Sequence, residues 1–340
     1  TGVKYTYFTN GIETYSSTFD VNIAPQSSQE YEIDSLELEK DNHNSVVFEY
    51  LAGDFLIASE QIILSEGKLS ADINSDGKTA VKPSENKLYI TFDNGSMIFD
   101  KSTGFITSYI YKNHEMINSF PLGDFKGFAP AFYRAPLDND RNICKYWHTM
   151  ELQNTSNICK GSSFTDNGDN IVVTTNIKSI ANCILPVANT QIKYTIYPNG
   201  NILVDVNCLG GGAVKLLPRF GVMLEMPKEY ENIKYFGLGE DVNLPDYKEH
   251  TINKVYQTTV DKLKEDYIKP QESATRCDVR FAEITNASGF GLRFEAVSKP
   301  FVFSASHYTS NQWAKAMHRD DLVDLPTTCV NIDSSVLGAG

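Results

Sequence analysis

The sequence predicts an all-β protein built of antiparallel sheets, and three observations predict it. Its 340 residues include 18 Tyr and 19 Phe, side chains that pack well on a pleated, half-buried surface. Short runs alternate apolar and polar residues with the period of a strand. Turn clusters separate the runs, and no helix-period segments intervene, which argues against α/β units.

The first runs are YTYF (Tyr5–Phe8), VVFEY (Val46–Tyr50) and FLIASEQIIL (Phe55–Leu64), with polar turns around Pro25 and Asn42. That spacing suits a small β-sandwich of the immunoglobulin type, but fewer than about seven strands fit, so the sandwich is expected to be partial. Ser65 to Asn86 is polar, rich in Gly, Ser, Asp and Lys, as a linker would be. The expected division is 1–70 for the partial sandwich, 71–86 for the linker and 87–340 for a second domain. There the runs KLYITF, FITSYIY, NIVVTTNI, QIKYTIY, NILVDVN, KVYQTTV and GFGLRFEA recur. The turns DNG at Asp93 and PNG at Pro198 flank strands, as hairpins require. About 250 residues of such pattern predict one large antiparallel sandwich or barrel. No repeat of roughly 20–50 residues points to a propeller or solenoid.

Thirty Lys and Arg against 43 Asp and Glu leave a formal net charge of −13. A chain of that sign repels polyanions, so neither nucleic acid nor an anionic membrane face is expected as a partner. No run of about 18 apolar residues spans a bilayer, and TGVKYTYFTN at the N-terminus has neither a signal core nor an initiating Met. A piece of something longer is the expectation. Cys144, Cys159, Cys183, Cys208, Cys277 and Cys329 include no C-x-x-C pair, which suggests free thiols in a reducing, cytoplasmic compartment.

Several motifs dissolve on inspection. DINSDGK (Asp72–Lys78) spaces oxygen ligands like half a calcium loop, but Pro83 stands where the bidentate Glu belongs, so it reads as a solvated acidic linker. GLGED (Gly237–Asp241) lacks the third glycine of a dinucleotide fingerprint, and HEMIN (His114–Asn118) lacks the second His of a zincin. Asn94, Asn154 and Asn286 open N-x-S/T strings, which matter only in a secreted chain. Glycoside hydrolysis needs two carboxylates facing each other across the sugar, and no pair stands out from solvated clusters such as Leu36–Asp41. No G-x-S-x-G elbow supports a Ser-His-Asp triad.

Longer strings carry more. RAPLDND (Arg134–Asp140), followed by Arg141, Asn142 and Trp147, is similar to the signature that opens the C-terminal sandwich of family 2 β-galactosidases. YFGLGEDVNLPDY (Tyr235–Tyr247) resembles that family's Y-x-G-x-G-P-x-E-N-Y-x-D-R. YIKPQESATRCDVRF (Tyr267–Phe281) resembles its Y-x-x-P-Q-E-N-G-x-R-x-D-V-R. DLPTTCVNIDSSVLGAG (Asp324–Gly340) is similar to the run that leads there to an active-site Trp, and VNIAPQSSQEYEI (Val21–Ile33) to the preceding immunoglobulin-type domain. The resemblance covers essentially the whole chain. Departures exist: Glu240, Val242, Leu244 and Tyr247 replace Pro, Glu, Tyr and Arg, Ser273–Ala274 replace Asn-Gly, and the sequence stops at Gly340 before that Trp.

The resemblance implies a partial immunoglobulin-like sandwich followed by a galactose-mutarotase-like supersandwich, truncated at its C-terminal end. It implies the C-terminal domain of an enzyme that hydrolyses terminal non-reducing β-D-galactose residues. The catalytic (β/α)8 barrel, with the acid/base and nucleophile Glu, would precede Thr1, so this chain is expected to hold no catalytic residue and to be silent alone. Its partners would be that barrel and a β-galactoside, with Mg²⁺ and Na⁺ in the barrel and no ion here. Arg134, Asp138, Asn139, Asp140, Arg141, Asn142 and His318 are the candidate substrate-side residues. For Arg134 and Asp138 the structural alternative is an Arg–carboxylate fork pinning a turn, and for Trp147 and Trp313 it is core packing. A stand-alone carbohydrate-binding module is the rival function. A mutarotase would need a pair of catalytic His residues that no shared motif supplies.

Overall fold

The structure, a computed structural model, describes residues 2–70, 73, 76–117 and 127–339. Its first strands are β1 (Gly2–Thr9), β2 (Ile12–Asp20), β3 (Asn44–Ala52) and β4 (Phe55–Ser65), in the sheet order β2-β1-β3-β4. A meander follows: β5 (Ala80–Pro83), β6 (Lys87–Phe92), β7 (Gly95–Asp100), β8 (Phe105–Tyr111) and β9 (His114–Glu115). After β10 (Ala129–Ala131) and the helix α1 (Ile143–Thr149) comes a second meander of long strands. These are β11 (Ser156–Asp166), β12 (Ile171–Ala181), β13 (Leu185–Ile196) and β14 (Ile202–Gly210). Next are β15 (Arg219–Pro227), β16 (Asn232–Gly239), β17 (Ile252–Thr259) and the one-turn helix α2 (Val260–Leu263). The chain ends with β18 (Arg276–Val279), β19 (Phe281–Thr285), β20 (Gly291–Glu295), β21 (Phe301–Ser306), the helix α3 (Ser310–Lys315) and β22 (Thr327–Val336).

Two sheets interleave these last strands, in the orders β10-β15-β22-β21-β18 and β17-β16-β19-β20. Strand pairing is antiparallel throughout the described residues. The fold is therefore an all-β, sandwich-type assembly of sheets, and none of them closes into a barrel. Among the described residues no helix is long and apolar enough to cross a membrane.

Local chemistry explains the elements. In β12, Ile171, Val173, Thr175, Ile177, Ser179 and Ala181 point inward at every second position, the period of a half-buried strand. Phe92 pairs with Gly95 across Asp93–Asn94, and Asn94 takes the left-handed φ of 61° that this tight hairpin asks for. The main core fills the space between the sheets, with Ile90, Phe99, Tyr194, Leu224, Phe303 and Val330 fully buried.

The N-terminal sheet has its own cluster of Tyr5, Tyr7 and Val46 backed by Phe19 and Phe48. It docks on β16–β17 through backbone-directed bonds: the Gln61 amide donates to the Asn253 carbonyl at 2.9 Å and accepts from its N–H at 2.7 Å. His43 lies buried edge-on to Phe236, and burial lowers its pKa to about 4.

Ala80–Pro83, inside the stretch read as a linker, is β5, an edge strand of the first meander, a position that tolerates proline. Asp72, Asn74 and Ser75 of DINSDGK, and Asn118 of HEMIN, lie outside the described residues. His114 of HEMIN stacks on Phe290 at 3.9 Å between ring centroids.

The edge strand β4 exposes Phe55 (72%) and Ile57 (56%), an open apolar ladder that invites pairing with another chain. This chain is expected to self-associate in sedimentation analysis, and the double substitution Phe55→Lys with Ile57→Lys to shift it toward monomer. A concentration-independent monomer for the unaltered chain would remove this expectation.

Candidate functional site

The RAPLDND string leaves β10 and folds back on itself. Pro136 biases Ala135 to an extended conformation, and a 3-10 turn at Asp138–Arg141 returns the chain toward Arg134. Arg134 is fully buried, and its guanidinium holds Asp140 in a fork, Nη1 to Oδ2 at 2.6 Å and Nη2 to Oδ1 at 3.4 Å. The same carboxylate accepts from the Leu137 N–H at 2.7 Å, which closes the turn. Nη2 also donates to the Leu337 and Gly338 carbonyls at 3.3 and 3.2 Å, and Cζ sits 5.5 Å from the Trp147 ring. An Arg–carboxylate fork does pin this turn, with Asp140 as the carboxylate rather than Asp138. Asp138, Asn139, Arg141 and Asn142 face solvent, and the Asp138 N–H donates to the Gln271 side-chain oxygen at 2.8 Å.

The other strings meet at the same place. Buried Asn243 donates to the Leu238 and Asp241 carbonyls, accepts from Cys277 N–H at 2.6 Å, and gives its own N–H to Thr275 at 3.1 Å. This binds the 235–247 string to the 267–281 string. Leu244 and Tyr247 exchange backbone bonds across a tight turn whose Asp246 accepts from the Ala339 N–H at 2.6 Å. A Cβ at Gly338 would lie 2.3 Å from that carboxylate, so a larger residue here would push the Asp246 side chain aside. Beneath this junction Leu238, Leu244, Cys277, Val302 and Val336 form a small apolar cluster, with Leu137 and Ala339 packed on it. Ser273 and Ala274, which stand for Asn-Gly, do not adopt a left-handed conformation, and the Ser273 hydroxyl accepts from the Glu265 N–H at 3.2 Å.

Under the junction runs a buried ionic group. Arg219 Nε lies 3.0 Å from Asp333 Oδ2, and Nη2 lies 3.7 Å from Glu272 Oε1. Burial chiefly, with Glu272 adding repulsion and Arg219 opposing it, pushes the Asp333 carboxyl up to about 7. Burial likewise raises the Cys277 thiol to about 12.

His318 takes no part in the junction bonds described above. It caps a 3-10 turn, with Nδ1 3.3 Å from Asp320 Oδ2 and its N–H on Asp321 at 2.9 Å. That turn docks on the neighbouring loop through the Arg319 N–H and the Ile268 carbonyl at 3.1 Å. Trp147 and Trp313 are buried, at 0% and 5% exposure.

Gln271, Asn243, Asp246 and Gly338 do the joining, and residue-by-residue reading missed them. All four lie within the quoted strings, so the strings marked the segments but not these residues. The Arg219–Asp333 pair joins distant parts of the chain and leaves no local signal. Among the described residues no group of three or more His, Cys, Asp or Glu side chains is placed to hold a metal ion. The exposed rim, Asp138, Asn139, Arg141, Asn142, Glu240 and Asp241, offers carboxylate, amide and guanidinium groups for hydrogen bonding to polar ligands or a docking surface.

Residues 91–340 match the family model described as Beta galactosidase small chain. Among curated relatives, "Beta-galactosidase" of Halalkalibacterium halodurans is 25% identical over 99% of this chain and 34% of its own length. "Beta-galactosidase" of Actinobacillus pleuropneumoniae is 26% identical over 99% of this chain and 33% of its own, and that of Staphylococcus xylosus is 24% identical over 84% and 28%. The chain thus spans about a third of the length of these relatives. With its matched strings drawn into one junction and most of its length matching the family model, the chain belongs to the beta galactosidase small chain family.

Proposed function

We propose that this chain is the C-terminal portion of a family 2 β-galactosidase, an enzyme hydrolysing terminal non-reducing β-D-galactose residues. The observation that carries this reading is the convergence of the 134–142, 237–247, 270–278 and 336–339 segments on one face. That face would meet the catalytic barrel, and its exposed rim from Asp138 to Asn142 would border the barrel's mouth and complete the sugar site. Both catalytic Glu residues belong to the barrel in this reading, as do Mg²⁺ and Na⁺, so the chain alone is silent. The β1–β4 sheet corresponds to part of an immunoglobulin-like domain ending near residue 70, and the sheets from β5 onward to a galactose-mutarotase-like supersandwich. Six free cysteines support a cytoplasmic parent enzyme.

The test mixes this chain with a folded, barrel-bearing N-terminal piece of a β-galactosidase that is inactive alone, and follows nitrophenyl β-galactoside hydrolysis. Activity that appears on mixing and saturates with this chain is expected. No gain from two folded pieces would turn the reading toward an independent carbohydrate-binding module.

A further inference from the structure

A second feature lies beside the junction. Tyr267, Tyr308, Trp313, Arg319, Asp320 and Asp266 line a pocket of about 170 Å³. Its walls are held in place before any ligand arrives. The Arg319 N–H bond to Ile268 ties the two loops together at 3.1 Å. The Tyr308 hydroxyl donates to Asp324 at 2.6 Å, and the Trp313 indole N–H to Ser306 at 3.3 Å. These two rings stand edge-to-face, 5.7 Å apart at 87°. Trp313 is 5% exposed and forms the floor, while Tyr267 at 39% leaves ring surface open.

The lining chemistry narrows the ligand. Lys264 and Arg319 are outnumbered by Glu265, Asp266 and Asp320, so a phosphate or carboxylate would meet net repulsion. A purely apolar ligand would desolvate that charged rim without compensation. The volume is below the ~300–1,000 Å³ of drug-sized sites, which excludes an extended oligosaccharide. What fits is a compact neutral polyol with an apolar face, its C–H groups on the aromatic surface and its hydroxyls on carboxylate and guanidinium. We propose that this pocket binds a single pyranose ring, as a sugar site beside the rim at Asp138–Asn142. The choice of galactose among pyranoses rests on the β-galactosidase reading.

The test titrates the full 340-residue chain with methyl β-D-galactopyranoside and with the matching glucoside, read by saturation-transfer NMR and tryptophan fluorescence. A saturable galactoside response is expected, weakened about tenfold or more in Tyr267→Ala and in Asp320→Asn. Both positions are exposed, and their thermal unfolding should match the unaltered chain. Trp313→Phe should abolish the fluorescence change but keep the Trp147 signal. Absence of saturation by either sugar up to about 100 mM, or a response undiminished in both Tyr267→Ala and Asp320→Asn, overturns the pocket. A glucoside-only response that these variants weaken supports a pyranose site and overturns the galactose assignment. Restored hydrolysis on mixing, without sugar binding here, overturns the pocket and leaves the proposed function standing.

Discussion

Replacing Arg134 by alanine is expected to destabilise the chain by about 3–5 kcal/mol, the cost of stranding a buried charge without its partner. Asp140 has only 4% of its side chain exposed and its guanidinium partner none. The substitution would leave that carboxylate facing protein and would release the Leu337 and Gly338 carbonyls that Arg134 Nη2 holds. It would also remove the cation over the Trp147 ring. Arg134→Lys keeps the charge but loses the two-pronged geometry, so a smaller loss is expected. Removing both charges, in Arg134→Met with Asp140→Leu, should recover much of the loss, because two well-packed apolar groups avoid the desolvation that the pair had to overcome. Urea denaturation of the four proteins checks this. An unchanged midpoint in Arg134→Ala would mean that the fork contributes nothing.

Asp333 is expected to make the chain less stable as pH rises. In the folded state its carboxyl is raised from 3.8 to about 7 by burial, whereas the unfolded chain has the ordinary carboxylate value. Between those values the folded chain holds a proton that the unfolded chain has released. The contribution is therefore fully present below about pH 4 and is lost as pH climbs through the folded value. Each tenfold difference in proton affinity is worth about 1.4 kcal/mol, so the loss is on the order of 4 kcal/mol. Glu225, raised by burial to about 7, acts with the same sign. His43 acts oppositely, since its folded value of about 4 means that acid must charge it on unfolding.

Comparing the unaltered chain with Asp333→Asn across pH 4–7 cancels the groups that do not interact with Asp333, leaving Asp333 and its neighbour Glu272. The difference in unfolding free energy should shift steadily against the unaltered chain as pH rises. A pH-independent difference would refute the assignment. The physical cause is burial of the carboxyl, which Arg219 offsets only in part while Glu272 adds repulsion.

Much of the strand layout was legible in the sequence. KLYITF and FITSYIY coincide with β6 and β8, and the two turns read from DNG and PNG close β6–β7 and β13–β14. Alternation and turn preference are local properties, carried by residues within a few positions of one another. β5 escaped because four residues beside a polar stretch carry too little alternation, and its strand character comes from pairing with β6. The same limit applied at the site. The strings named the segments that matter, yet nothing in them said that the Asp138 N–H would rest on Gln271 or that Ala339 would reach Asp246.

By itself, then, the sequence determined an acidic, all-β chain, the position of most of its strands and the strings that mark its family. Tertiary structure alone decided that Arg134 closes on Asp140, that Arg219, Glu272 and Asp333 share one buried environment, and that the His318 turn docks on Ile268. Those outcomes depend on which distant segments pack together and how much water they exclude. Both are set by burial across sheets, which no local spacing encodes.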